Sequence, residues 1–146
     1  MDDLDRKILS LLVQNARMPV KEIAEQVSLT SPAVSSRIHK METDGIINGY
    51  TVLLNRPADQ VYVDALISLS VAPSHREELL ALLQSSREVL QCYHITGAYT
   101  FLIKVSCSSM PQLEHLITEF QKLGTTSTQI ILSTPVNHRE LDVLLP

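Results

Sequence analysis

Between Ser31 and Lys40 the chain gathers hydroxyls at Ser31, Ser35 and Ser36, fixed cations at Arg37 and Lys40, and a titratable ring at His39, with no acid until Glu42. Small hydroxyls near a helix start and cations further along are the groups that meet base edges and phosphates in a DNA major groove. The spacing predicts that helix. Thr30 is a good N-cap, Pro32 falls in the first turn where a missing N–H costs nothing, and Gly45 closes the segment. Val34, Ile38 and Met41 recur at i, i+4 and i+7 as one apolar stripe, leaving the polar set on the opposite side. Polar, basic faces are common on ordinary solvated helices, so the face alone decides little. The preceding run decides more. Val20–Val27 (VKEIAEQV) puts Val20, Ile23, Ala24 and Val27 on one face, and Ser28-Leu29 links it tightly to the next helix. Two short helices with so brief a turn, the second exposing cations, make a helix-turn-helix.

Composition narrows the mode of binding. The 146 residues are 45% hydrophobic, enough for one domain or two small ones, and the formal charge is −4. Residues 1–50 hold six Lys/Arg against seven Asp/Glu, which argues against a bulk-basic coat of nucleic acid. The acids sit mostly at Asp2, Asp3, Asp5, Glu22 and Glu25, so Arg37, His39 and Lys40 are expected to be locally uncompensated. Binding should therefore need a dimer and a specific site. Cys92 and Cys107 lie in strand-like apolar runs without CxxC spacing and read as reduced core residues of a cytoplasmic protein. The histidines at 39, 75, 94, 115 and 138 form no metal-ligand pattern, and no metal or other cofactor is expected. No signal-peptide core opens the chain, and no apolar run approaches the roughly 18 residues that span a bilayer.

The remaining elements position this helix and its copies. Residues 2–15 begin with acids suited to a helix N-terminus and carry Leu4, Ile8, Leu11 and Leu12 as a stripe that should pack on Ile23, Val27, Val34 and Ile38. Ile46–Leu54 reads as extended, with Asn48-Gly49 either a turn between two short wing strands or simply the end of the helical region. Asn55–Gln60, polar and containing Pro57, is the expected linker. Beyond it come a strand (61–72), a helix (74–86) with Leu79, Leu80, Leu82 and Leu83 inward, and strands 89–96 and 99–107 joined by Gly97-Ala98 as a two-residue hairpin. A helix (109–123) ending at Gly124, a strand (125–134) and a tail ending LDVLLP complete the order βαββαβ, a ferredoxin-like domain. Apolar residues also occupy the second phase of its strands, among them Tyr62, Leu66, Leu102 and Ile131. Two helices cover only one sheet face, so the other should be covered by a second copy in a symmetric dimer. This half offers no paired carboxylates in a cleft, no Ser/His/Asp set and no Gly-rich phosphate loop, so no catalytic residues and no enzyme are expected.

The whole pattern resembles the Lrp/AsnC family of bacterial and archaeal regulators, the leucine- and asparagine-responsive "feast/famine" proteins. The likeness is carried by LDRKILSLLVQNAR (4–17), by VKEIAEQVSLTSPAVSSRIHKMETDGIINGYTVLLN (20–55) and by VLQCYHITGAYTFLIKV (89–105). The resemblance implies an α+β chain: an N-terminal winged helix-turn-helix (1–54), a linker (55–60) and a ferredoxin-like dimerisation and effector-binding domain (61–146). It implies double-stranded DNA as partner, a homodimer assembling into a higher oligomer, commonly an octamer, and no membrane. Thr30–Asp44 matches the recognition helix, with Thr30, Ser31, Ala33, Ser35, Ser36, Arg37, His39 and Lys40 as candidate DNA contacts. The family's amino-acid effector site lies beside a loop close to T/S-G-x-x-D, here Thr96, Gly97, Ala98, Tyr99 and Thr100, with threonine where an acid is common. A threonine hydroxyl can hydrogen-bond an α-ammonium group but cannot pair its charge. A hairpin turn without a ligand is the other reading of Gly97-Ala98. The expected function is sequence-specific transcription regulation in the cytoplasm, associated with the nucleoid, with or without a response to an amino acid. The alternative is a ligand-independent architectural protein that bends or wraps DNA.

Overall fold

The structure, a computed structural model, describes residues 1–57 and 59–136. Residues 1–54 form one compact unit and residues 55–135 a second. Each has its own core.

The first unit is three helices: α1 (Asp3–Gln14), α2 (Val20–Val27) and α3 (Ser31–Thr43). Their apolar stripes meet as the spacing requires. Ile8, Leu12, Ile23, Ala24, Val27, Val34 and Met41 form the buried cluster, with Leu4, Leu11, Val20, Leu29 and Ile38 packed around it. Ile8, Ile23 and Val34 are wholly buried, each burial worth about 1.5–3 kcal/mol relative to exposure. α2 stops at Ser28, which takes the left-handed conformation (φ 56°, ψ 43°) and returns its N–H to Ala24 and Glu25 carbonyls. Leu29 N–H also bonds the Ala24 carbonyl, at 2.9 Å, and the chain turns at once into α3. The expected wing is not formed as a β-hairpin: residues 48–57 carry no strand. The left-handed residue that closes α3 is Gly45 (φ 71°), whereas Gly49 lacks the positive φ that a tight Asn-Gly hairpin turn requires. Tyr50 is instead tied back to α3, its hydroxyl donating to Glu42 Oε1 at 2.9 Å.

The second unit contains β1 (Val63–Val71), α4 (Arg76–Ser85), β2 (Val89–His94), β3 (Phe101–Cys107), α5 (Met110–Gln121) and β4 (Gly124–Ile130). The sheet order is β2-β3-β1-β4 and every pairing is antiparallel, the ferredoxin-like arrangement expected from the order of elements. One phase of the central strands (Ala65, Ile67, Leu69, Val71, Ile103, Val105, Cys107) packs against Leu79 of α4 and Leu113, Leu116 and Phe120 of α5. Leu80, expected inward, is exposed, because α4 turns only Leu79, Leu82 and Leu83 toward that core. Cys92, expected in the core, is exposed on β2, while Cys107 is buried. Gly124 does not cap α5; Lys122 occupies that position and Gly124 opens β4 opposite Val71. A Cβ there would collide with the Ser70 carbonyl, so the residue is glycine because two strands meet too closely for a side chain. β4 ends at Ile130 rather than Thr134, although Ile131 N–H still reaches the Asp64 carbonyl at 2.8 Å. The tail LDVLLP (141–146) lies outside the described residues.

The other sheet face is more polar than the apolar second phase implied. The registers place Asp64, Leu66, Ser68 and Ser70 of β1 beside Leu102, Lys104 and Ser106 of β3, with Tyr93 opposite Leu102 and Ser127 and Gln129 on β4. Leu66, Leu102 and Tyr93 make an apolar centre within a ring of hydroxyls and charges. At the start of β1, Arg56 grips Asp64 with two hydrogen bonds (2.9 and 3.0 Å) and lies 4.7 Å over the Tyr62 ring. Arg56, the second residue of the expected linker, is thus anchored to the sheet that follows.

Candidate nucleic-acid interface

α3 owes its start to Thr30, whose Oγ1 accepts from Ala33 N–H, and to Pro32 in the first turn. At its other end Ile46 and Ile47 N–H groups both reach the Met41 carbonyl (2.9 and 3.0 Å) around left-handed Gly45. With Val34 and Met41 buried, residues three and four apart on the opposite side form one exposed stripe: Pro32, Ser35, Ser36, His39, Lys40 and Thr43. Of the eight sequence candidates, four (Ser35, Ser36, His39, Lys40) lie on this stripe and are exposed. Thr30 is exposed but occupied as the cap. Ser31, Ala33 and Arg37 are half-buried on the flanks. Pro32 and Thr43 were not singled out from sequence, yet they sit at i−4 and i+7 from Ser36, so the helical period alone could have found them. The Thr43 hydroxyl donates to the His39 carbonyl at 2.9 Å. Near the end of the stripe His39 Nδ1 lies 3.7 Å from Glu42 Oε2, and burial together with Glu42 pushes the Tyr50 phenol up.

Arg37 is not the uncompensated cation that the sequence suggested. Its Nη1 donates to Asp2 Oδ2 and Asp5 Oδ1, each at 2.7 Å. The same two aspartates close the start of α1 as a reciprocal cap: Asp5 N–H donates to Asp2 Oδ1 and Asp2 N–H to Asp5 Oδ2, both at 2.9 Å. All four carboxylate oxygens are therefore engaged, two by backbone and two by one guanidinium nitrogen. These backbone bonds first, and Arg37 with them, hold both carboxyls below the ordinary aspartate range, and the paired acids raise Arg37 further. The Asp-x-x-Asp spacing was legible as a capping pattern, but nothing local showed that its outer oxygens meet a side chain 32 to 35 residues away. Lys40 makes no ion pair among the described residues, so it supplies the free positive charge of the stripe.

The second candidate site is the loop after β2. Val89–His94 and Phe101–Cys107 are not joined by a two-residue turn. Ile95 N–H bonds the Thr100 carbonyl at 2.9 Å, leaving Thr96, Gly97, Ala98 and Tyr99 as the loop, with Gly97 at φ 120°. Thr96, Gly97 and Ala98 are exposed and Tyr99 half-buried. Thr100 faces the sheet. Its N–H donates to the Leu69 carbonyl (3.0 Å), its hydroxyl donates to the same carbonyl (3.1 Å) and accepts from Val71 N–H (3.0 Å). The side chain thus completes the β1 ladder where β3 begins. Among the described residues no cluster of three or more His, Cys, Asp or Glu could hold a metal, and no helix is long and apolar enough to cross a membrane.

A tight helix-turn-helix whose second helix shows a hydroxyl-and-cation stripe, followed by a ferredoxin-like domain without catalytic groupings among the described residues, defines a DNA-binding regulator. An AsnC-type helix-turn-helix domain matches residues 1–42, and an Lrp/AsnC ligand binding domain matches residues 64–141. The chain belongs to the Lrp/AsnC family of helix-turn-helix transcriptional regulators. It is 33% identical to the regulatory protein AsnC of Escherichia coli K12, covering 93% of either chain. It is 29% identical to the transcriptional regulator LrpB of Bacillus subtilis, covering 94% of this chain and 93% of that one. The solved structure of E. coli AsnC superposes with a TM-score of 0.85 over 94% of this chain and 96% of that one. A Neisseria meningitidis transcriptional regulator, crystallised as a complex with L-Met, gives 0.88 at 25% identity over 99% of both chains.

Proposed function

We propose that the protein acts as a homodimer, assembled further into an octamer, whose paired α3 helices read half-sites of a pseudo-palindromic operator. The observation that carries this reading is the exposed stripe of Ser35, Ser36, His39 and Lys40 on a helix whose other side is wholly committed to the core. A helix so presented can enter the major groove, with Lys40 and His39 on phosphates and the serines as adaptable donors toward base edges. Ser31, Ala33 and the helix start at Thr30 approach the same strand from the flank. We assign DNA binding to 1–54, the linker to 55–60, and dimerisation with effector binding to 61–146, in a cytoplasmic, nucleoid-associated protein. The dimer would form through the sheet face centred on Leu66, Leu102 and Tyr93. An oligomer carrying several helix pairs would bend or wrap DNA, so that duplex deformability contributes to site choice.

An amino-acid effector is supported by the likeness to a regulator crystallised with L-Met, and we assign it to the loop Thr96–Thr100. One observation favours the ligand-independent architectural alternative: Thr100 brings no carboxylate, and its hydroxyl is already used by Leu69 and Val71. The test is enrichment of a duplex from a random-sequence library, followed by anisotropy titration against a scrambled duplex with and without each amino acid. We expect clear preference for the enriched duplex, and Lys40→Gln should make the dependence of log K on log salt shallower by about 1.8 per dimer, one phosphate contact from each α3. Equal binding to both duplexes would remove the specific-regulator reading. Identical titrations with and without every amino acid would favour the architectural one.

A further inference from the structure

We propose that Arg37 is a positioning residue for α3, not a DNA contact, and that Asp2 and Asp5 belong to the DNA-reading apparatus because they hold it. The inference rests on the DNA-binding reading above and assigns a part within it. Arg37 leaves α3 on the flank that faces α1, half-buried, one side away from the stripe of Pro32, Ser36, Lys40 and Thr43. Its Nη1 is shared between two carboxylates at 2.7 Å. Those carboxylates cannot drift to follow it, because their remaining oxygens close the α1 cap. The result is a three-residue clamp joining the first residues of the chain to the middle of the recognition helix, beside Ala33, Ser36 and Lys40 around the same depression. Pulling Arg37 out toward a phosphate would leave two carboxylates facing the DNA without a partner. The clamp therefore fixes the roll of α3 about its axis, and with it the direction of Ser35, Ser36 and His39. It contributes specificity while adding nothing to the count of phosphates neutralised.

Simple electrostatics gives the opposite sign, which makes the proposal testable. If Arg37 touched DNA and the acids merely competed for it, Asp2→Asn with Asp5→Asn would free the guanidinium and tighten binding to any duplex. If Arg37 positions α3, the same double change lowers discrimination. The measurement uses the full chain, the library-enriched duplex and the scrambled duplex, by anisotropy between 50 and 200 mM KCl, well below the Tm of each variant. Arg37→Gln and the double Asp variant should each reduce the ratio of enriched to scrambled affinity by about three- to tenfold, the scale expected of a small charge network. The salt slope of Arg37→Gln should equal the wild type's, while Lys40→Gln loses about 1.8 per dimer. Because both contacts come from one nitrogen, Arg37→Lys should restore the ratio to within about twofold; a bidentate base contact would not survive that change. A salt slope in Arg37→Gln that falls as in Lys40→Gln, or a double Asp variant whose ratio of enriched to scrambled affinity equals the wild type's, overturns the proposal. Should Arg37→Gln not fold, Arg37→Lys and the double Asp variant decide the matter alone. A wild type without preference for the enriched duplex would instead defeat the function on which the inference rests.

Discussion

At the scale of single residues, the informative positions are those whose partners are distant in sequence. Asp2 and Asp5 are both held below the ordinary aspartate range by the reciprocal backbone bonds and by Arg37. A carboxyl depressed in the folded state contributes stability that is complete above its unfolded pKa and is lost as pH falls through the folded one. The helix-turn-helix unit should accordingly hold its stability down to about pH 4 and lose the clamp's share below that. Acid unfolding followed by circular dichroism should show this loss in the wild type and a weaker dependence in Asp2→Asn with Asp5→Asn; identical acid profiles would contradict it. Ser28 offers a second case. It occupies the left-handed region at φ 56° with a side chain that gains nothing there, a cost of roughly 1–2 kcal/mol. Ser28→Gly relieves that cost but adds unfolded-state freedom, so a net gain of about 0.5–1 kcal/mol is expected from urea unfolding.

At the scale of elements, α3 was visible in sequence from cap to closing glycine, because its determinants are local. Thr30, Pro32, the 34-38-41 stripe and Gly45 all act within a few residues. The same local logic misread Gly124. A glycine after an amphipathic run suggests a helix end, but α5 stops at Gln121 and the glycine answers to Ser70, across the sheet. Gly124→Ala should cost about 2–3 kcal/mol, since backbone rather than a flexible side chain must yield. Thermal unfolding that leaves Tm unchanged would show that β4 can shift to make room. The Thr96–Thr100 loop failed for a related reason. Gly97-Ala98 has turn chemistry, but the hydroxyl of Thr100 bonding to β1 sets where the ladder begins and so lengthens the loop.

At the scale of the whole molecule, the decisive surface is the sheet face that the helices leave uncovered. Its half-buried Leu66 and Leu102, with Tyr93, sit among serines, Lys104 and Asp64, a small apolar centre with a polar rim, as interfaces between copies commonly have. Leu102→Lys places a second ammonium beside Lys104 at that centre. We expect sedimentation velocity at micromolar concentration to shift from an oligomer toward single chains, with weaker DNA binding as a consequence. A wild type that runs as single chains, or a variant that assembles as before, would place the interface elsewhere.

By itself the sequence determined the five helices and the four strands of the sheet, to within a few residues, and the order that yields a ferredoxin-like arrangement. Periodicity, caps and burial act through neighbours in the chain, and they are written there. Only the tertiary structure decided that Arg37 is bound to Asp2 and Asp5, that Gly124 is required by Ser70, that Thr100 belongs to the β1 ladder and that no hairpin wing follows α3 among the described residues. Each of these depends on atoms brought together from distant positions. Charge counting along the chain cannot show which carboxylates fold against a given cation.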